Sequence, residues 1–403
     1  MPALFLIVVV DLVGFGLVIP LLPFYAVRFA ASPQEVTALV AIYSLAQLVT
    51  APLWGRLSDR IGRRPVLLAS LTASALAYLW LGGATALWML FAARAFAGAC
   101  AGNIAAAQAY VADVTQPEAR ARGMGLIGAA FGLGFIIGPA LGGLLAGNDP
   151  VAADLETPAW VASGLSALAL LGVALLLPES LRGNRRDGAP QPGRVFAVLN
   201  VLRRPVLSRL IFVNFLVILA FAGMQSVFAI WAMPQFGWGP RQVGYVFAYL
   251  GLISAILQGG LIGRLTRRFG EERLLLSGLA LIAAGLLVLP FAHDMPVLGL
   301  ALTGLALGMG LMQPSLNSLI SRQARQEEQG EVMGVSQSVA SLSRVLGPFA
   351  AGFSFAALGR NSPYFLGVLL VIIPLLLALK LPPVGARRVG EAEPFGREGG
   401  PAR

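Results

Sequence analysis

The chain has 403 residues, 57% of them hydrophobic and only 12% charged, with a formal net charge of +10. Soluble domains carry about 25% charged residues, so this composition excludes a soluble globular protein and marks a polytopic membrane protein. The positive charge is no nucleic-acid signal, because the basic residues sit in short loops between apolar segments. A single cysteine, Cys100, and a single histidine, His293, exclude an intramolecular disulfide, a cysteine-based metal cluster and a multi-histidine metal site.

A helix needs about 20 apolar residues, at about 1.5 Å each, to cross about 30 Å of hydrocarbon. Twelve segments qualify: 3–27, 37–57, 66–84, 88–112, 123–146, 160–178, 209–233, 242–263, 274–291, 297–321, 332–357 and 364–381. Backbone polar groups in hydrocarbon must be satisfied within the segment, so all twelve are helices and the fold class is an all-α membrane protein. The first has no basic leader and no small-residue cleavage site, and reads as a retained helix rather than a signal peptide. No stretch has the spacing of a phosphate or dinucleotide loop between a strand and a helix. Gly132-Leu133-Gly134 lies inside an apolar helix, so neither an ATPase nor another enzyme is expected.

In the first span, Asp11 is the only acid deep within any span, about 12 Å from the start of its helix. A carboxylate in hydrocarbon is costly and favours its neutral form unless a cation is near. Arg94 is the candidate cation, about 9 Å down the fourth span from the other side. Two readings are open: a proton-coupling pair that alternates between ionised and separated forms, or a static buried ion pair. Phe15 and Tyr25 share the face of Asp11, and Tyr43 and Gln47 share a face of the second span.

Between the second and third spans comes Gly55-Arg56-Leu57-Ser58-Asp59-Arg60-Ile61-Gly62-Arg63-Arg64-Pro65, a charged turn of about ten residues. Asp59 is the one acid among its four arginines, and Asp113 ends the fourth span on the same side. The fifth span carries Gly138-Pro139, where the missing backbone bond bends or softens a helix; close helix packing is an equal account. Residues 179–208, with several prolines, glycines and arginines, form the longest internal connector.

The second half repeats the first. Gly263-Arg264-Leu265-Thr266-Arg267-Arg268-Phe269-Gly270 is a weaker copy of the charged turn, and Gly347-Pro348 and Met333-Gly334 match Gly138-Pro139 and Met124-Gly125. The chain is therefore a tandem duplication: a first six-helix bundle over 1–178, the linker, a second bundle over 209–382 and a disordered tail over 383–403. In this half Asn214, Phe221, Gln225 and Phe228 share a face of the seventh span, and Gln313 and Asn317 a face of the tenth. With the first-half set they either line a midplane cavity or serve interhelical packing and hydrogen bonding. Arg344, mid-span in the eleventh helix with no acid in the spans of its half, either donates to helix carbonyls or holds an anionic or polar group. Of the 29 Lys and Arg residues, only Arg28, Arg241 and Arg360 fall in loops on the side away from the charged turns. By the positive-inside rule the arginine-rich side and both termini are cytoplasmic.

Six plus six helices, with Gly-x-Leu-Ser-Asp-Arg-x-Gly-Arg-Arg-Pro after the second, resembles the major facilitator superfamily. Asp11 to Pro23, Arg94 to Gly98 and Asp113 to Gly143 resemble its drug-proton antiporter branch, especially tetracycline efflux proteins. The resemblance implies that Asp59, Arg63 and Asp113 form a charge network, supported by Gly55, Arg60 and Gly62. Asp59 then latches onto the amino end of the eleventh helix near Val332 to Gly334. Such an end carries about half a positive charge; the plainer account is a loop that only sets orientation. Tetracycline exporters also carry acids in their third and ninth helices and a histidine in the eighth. The corresponding spans here have none, which counts against a metal-chelated tetracycline as substrate.

These readings converge on a proton-driven exporter of lipophilic small molecules working by alternating access in the inner cell membrane. It is expected to act as a monomer in the bilayer, with protons and a small molecule as partners and no cofactor beyond the proton gradient. The alternatives are a symporter or uniporter for a polar or anionic metabolite, with Arg94 and Arg344 as ligands, and a non-transporting sensor or scaffold.

Overall fold

The computed structural model describes residues 2–116, 120–181, 200–201, 203–324 and 328–379. The expected tail and most of the expected linker lie outside the described residues. Helix accounts for 88% of the structure, and there is no strand among the described residues. Twelve helices are long and apolar enough to cross a membrane: α1 (Pro2–Arg28), α2 (Pro33–Ile61), α3 (Arg63–Gly82), α4 (Leu87–Val114), α5 (Gly123–Ala146), α6 (Glu156–Leu176), α7 (Pro205–Phe236), α8 (Pro240–Phe269), α9 (Glu271–Phe291), α10 (Met295–Arg322), α11 (Gln329–Leu358) and α12 (Ser362–Leu379).

Each matches one expected span, but the charged turn differs from the expectation. Arg56 to Ile61 continue α2 as helix, and the reversal into α3 takes one residue, Gly62, at φ +107°. Its second-half counterpart Gly270, at φ +79°, makes the same one-residue turn between α8 and α9. Few residues other than glycine adopt these angles, so both halves reverse through a glycine elbow.

Among the described residues three helices are interrupted along their length, and α9 ends in a 3-10 turn at Leu289–Phe291. In α1 a 3-10 turn at Ile19–Leu21, beside Pro20 and Pro23, separates two α-helical pieces. The π-helical stretch Leu257–Leu261 interrupts α8. Most consequentially, α4 stops at Ala99 and restarts at Asn103. The backbone groups freed by that break are satisfied locally: the Trp54 indole donates to the Ala99 carbonyl (2.7 Å), and the Gly102 N–H donates to Ser70 Oγ (3.0 Å). Such satisfaction permits a broken helix at membrane depth.

Within the first half α1 packs on α5 and α6, and α3 on α6; within the second α7 packs on α11 and α12, and α9 on α10 and α12. In lipid, helices are held by close backbone approach rather than by burial of apolar surface. A Cβ on Gly138 of α5 would lie 2.7 Å from the backbone nitrogen of Leu17 in α1, and one on Gly347 of α11 would lie 2.5 Å from the Leu219 carbonyl of α7. The glycine-proline pairs thus seat equivalent helices in the two halves. Both helices run unbroken through Pro139 and Pro348.

The halves meet through α5 against α8 and α2 against α11. The contact is tight away from the glycine elbows. There a Cβ on Gly244 would lie 2.3 Å from the Pro139 carbonyl, one on Gly143 2.9 Å from Arg241 Cα, and one on Gly352 1.9 Å from Thr37 Oγ1. Toward the elbows Gly55, Gly125, Gly259, Gly263 and Gly334 have nothing within 4 Å. A cavity of about 500 Å³ lies on that side against the first half, lined by α2 residues, among them Thr50, Trp54, Arg56 and Arg60, and by Ala99 of α4. The halves thus approach most closely at the end away from the elbows, while a Cβ on the glycines toward the elbows would meet open space.

Candidate functional site

Asp11 is buried on α1, only 6% exposed. Its carboxylate accepts a hydrogen bond from the Asn103 side chain, the first residue of the restarted half of α4, with the fully buried Ser166 of α6 beside it. Arg94, on the other half of α4, is 3% exposed, and its guanidinium lies over the Tyr43 ring, 4.5 Å from the centroid. Cations gain about 0.5–2 kcal/mol in such positions. Its Nε and Nη1 have no hydrogen-bond partner. The sequence offered Arg94 as the candidate cation for Asp11; here Asp11 bonds Asn103 and Arg94 lies on Tyr43, and no ion pair joins them among the described residues. The cause is the break in α4, which brings Asn103 to the carboxylate while Tyr43 takes the arginine.

At the arginine-rich end, Arg63 Nη1 lies 2.5 Å from Asp59 Oδ1 and its Nε 3.0 Å from Asp113 Oδ2, with Ser58 Oγ accepting at 3.1 Å. The three charges implied by the resemblance do come together. Glu179, read from the sequence as linker, joins them. Its carboxylate accepts from the backbone N–H groups of Arg63 (2.9 Å) and Arg64 (3.1 Å), the otherwise unpaired donors at the start of α3. Ser180 donates to Asp113 at 3.1 Å. An acid directly after the sixth span, in a connector otherwise rich in arginine, was the available signal. Asp59 is 67% exposed and, among the described residues, makes its ion pair with Arg63 alone; a Cβ on Gly334, near the start of α11, would meet nothing within 4 Å. Arg60 lines the cavity on α2, and a Cβ on Gly55 would meet nothing within 4 Å.

The expected cavity set divides. Phe15 packs on Tyr43 (ring centroids 5.2 Å apart) and on Phe135 (6.3 Å). Gln47, Phe221 and Gln225 are half-buried. In the second half Asn214 donates to Ser336 (3.2 Å), and Gln313 donates to Asn214 and Asn317 (3.4 Å each), a polar cluster across α7, α10 and α11. Arg344 is exposed and donates to Ser341 one turn earlier (3.0 Å). Two residues do not belong to the set. Tyr25 is 2% exposed with its hydroxyl on the Leu155 carbonyl, because the 3-10 turn in α1 rotates it off the face of Asp11. Phe228 is 1% exposed, packed between Trp231 and Phe247 in the aromatic core at the end away from the elbows.

The sequence signature of the Major Facilitator Superfamily matches residues 4–348 and, overlapping, 236–400. Among characterised proteins the class C tetracycline resistance protein of Escherichia coli is 35% identical over 87% of this chain and 88% of its own. The crystal structure of the human organic anion transporter MFSD10 (TETRAN) superposes with a TM-score of 0.68 at 27% identity, covering 94% of this chain and 98% of that one. A bacterial homologue of the human lysosomal transporter Spinster, in an inward-facing and occupied conformation, shares the fold with a TM-score of 0.76 at 15% identity, covering 94% of this chain and 95% of that one. With duplicated six-helix halves, matching glycine elbows and a signature spanning both halves, the chain belongs to the Major Facilitator Superfamily.

Proposed function

We propose that this protein is a proton-driven exporter of lipophilic small molecules. The observation that carries the proposal is the separation of Asp11 from Arg94: a lone buried acid on one helix, a buried cation with free donors on the next, and a helix break between them. In the outward-open state a proton enters and protonates Asp11. The neutral site resets inward, and there Asp11 releases the proton and Arg94 moves from Tyr43 toward the carboxylate as the next substrate binds. The kinship with tetracycline resistance proteins supports export. The lack of a histidine in α8 and of an acid deep in α3, α8 or α9 favours substrates other than a metal-chelated tetracycline.

In this reading the arginine-rich end is cytoplasmic, both termini lie on that side of the inner membrane, and the conformation described above is inward-open. Residues 1–178 and 209–382 move as two bodies, as a monomer. Asp59, Arg63 and Asp113 engage the amino end of α11 only when the halves close at that end. Proteoliposomes with an internal pH dye test the proposal: added lipophilic drug is expected to release protons in step with its own movement, and Asp11→Asn is expected to abolish that exchange while leaving drug binding. Gradient-driven efflux that survives in Asp11→Asn would show that the proton travels elsewhere or is not the coupling ion.

A further inference from the structure

The cavity of about 500 Å³ on α2 takes no part in the coupling pair or in the elbow network. Its wall changes character along the helix. Arg60 and Arg56 stand nearest the elbow, and Leu57, Leu53 and Thr50 follow, with the Trp54 ring beside them. From Arg60 to Thr50 the helix rises about 15 Å, half of about 30 Å of hydrocarbon and so the depth of one leaflet. Neither arginine is engaged. The ion pairs among the described residues are those of Arg63, Arg204 and Arg322, and Asp59, the acid between Arg56 and Arg60 in sequence, is taken by Arg63.

The wall also turns away from the second half. Thr37, which lies against Gly352, marks the side of α2 that meets α11. At about 100° per residue, Arg56 and Arg60 lie about 100° and about 140° around the helix from Thr37, whereas Gly55 and Asp59 fall within about 40° of it. Val49, Leu53 and Leu57, successive turns of α2, are exposed, and an exposed apolar row on a spanning helix is a surface for acyl chains. Charge therefore stands at the depth of lipid headgroups, and apolar side chains stand at the depth of the chains.

We propose that the α2 cavity is a binding site for one anionic phospholipid of the leaflet on the elbow side. Its phosphate sits between Arg56 and Arg60, one turn apart, and accepts charge-assisted hydrogen bonds from their guanidinium groups. One acyl chain lies along Leu57 and Leu53 toward Thr50. Basic residues at a membrane surface attract anionic lipids, and basic pockets beside spanning helices hold their headgroups. A soluble anion has nothing to place on the leucines. The lipid also packs on Trp54, whose indole donates to the Ala99 carbonyl at the break in α4, so its contact reaches the helix that carries Arg94 and Asn103. The proposed orientation makes this leaflet the cytoplasmic one.

The test uses the full-length protein in detergent micelles, with phosphatidylglycerol and phosphatidylcholine of identical chains, and native mass spectrometry to count the bound lipid. The wild type is expected to hold one phosphatidylglycerol about ten- to thirtyfold more tightly than phosphatidylcholine, the range of two arginines at a membrane surface. Arg56→Gln with Arg60→Gln is expected to erase that preference. Arg264→Gln with Arg268→Gln, the counterpart positions of the second half, removes the same charge and is expected to keep it. Leu57→Trp fills the cavity, leaves both arginines in place and is expected to release the lipid. Excess inorganic phosphate is expected not to displace it. Gel filtration confirms that each variant is folded. Equal affinity for the two lipids in the wild type, or a preference undiminished in the folded Arg56 and Arg60 variant, overturns the site. A preference that survives Leu57→Trp, or falls equally in the second-half control, reduces it to general attraction between charges and overturns it too. Displacement by phosphate assigns the arginines to a free anion and overturns the lipid. Lipid occupancy is read without transport, so this outcome and that of proton-driven export are separate.

Discussion

The two halves of the molecule share a scaffold and differ in charge. Each reverses its second helix through a glycine at positive φ and seats its fifth helix on its first through a glycine-proline pair. Each then ties the start of its third helix to the end of its fourth by an ion pair, but with opposite polarity. In the first half Arg63 on α3 meets Asp113 on α4 (3.0 Å); in the second Glu271 on α9 meets Arg322 on α10 (2.9 Å). Asp59 has Arg267 as its counterpart. The duplication conserved the joints and left the sign free. What a joint must do is therefore separable from what a charge must do. The acid deep in the membrane and the exposed acid at the elbow are first-half features, whereas the second half presents amides, a serine and Arg344.

Breaking the joints should have the largest effect and treat both halves alike. Gly138→Leu and Gly347→Leu each place a side chain against backbone atoms that cannot yield, beyond the ~1–3 kcal/mol of ordinary overpacking. Both are expected to lose most folded protein, measured as the monodisperse fraction on fluorescence-detected gel filtration. A variant that folds normally would show that the two joints are not equivalent.

Asp59→Asn and Arg267→Gln probe the charge difference. The first is expected to lower transport about tenfold or more, the second less than about twofold, where tenfold corresponds to about 1.4 kcal/mol of lost bias between conformations. Expression should be unchanged in both. Equal effects would make the elbow charges merely topogenic.

The elbows themselves sharpen the comparison. Alanine at Gly62 or Gly270 is strained by about 1–3 kcal/mol, but only Gly62 also meets a carboxylate, with Glu179 Oε2 2.4 Å from a Cβ there and nothing within 4 Å of one on Gly270. Gly62→Ala is expected to lower the melting temperature further than Gly270→Ala, and to fall into line with it once Glu179→Ala is added.

Smallest is the ion pair, since partly exposed pairs give about 0.2–1 kcal/mol. Copying the second-half polarity with Arg63→Glu and Asp113→Arg should restore only part of the melting temperature lost by Arg63→Glu, because the new acid also faces Asp59, as a double-mutant cycle would reveal. Transport should not return, because Asp59 has lost its own partner.

The spans and the duplication were legible in the sequence because hydropathy over about 20 residues and charged turns are strong signals; that Asp59, Arg63 and Asp113 meet followed from the resemblance. The break in α4 was not: Cys100, Ala101 and Gly102 are small residues within an apolar run, so hydropathy passes through them unchanged. That one omission hid Asn103 as the partner of Asp11 and made Arg94 look like its only candidate. Helical spacing likewise placed Tyr25 in the cavity, since a face extrapolated along α1 takes no account of the turn at Pro20. Glu179 was missed because its partners are backbone amides, so the one mark it left was an acid in an arginine-rich connector.

Glu179 also has a mechanical meaning. Its carboxylate is bolted to the amides that open α3, beside an elbow one residue long. The strand of chain leaving α6 is therefore anchored to the pivot before it sets off toward the second half. A segment fastened there moves with α3 as well as with α6, so a displacement of residues 179–181 is felt first at Arg63, the hub that holds Asp59 and Asp113.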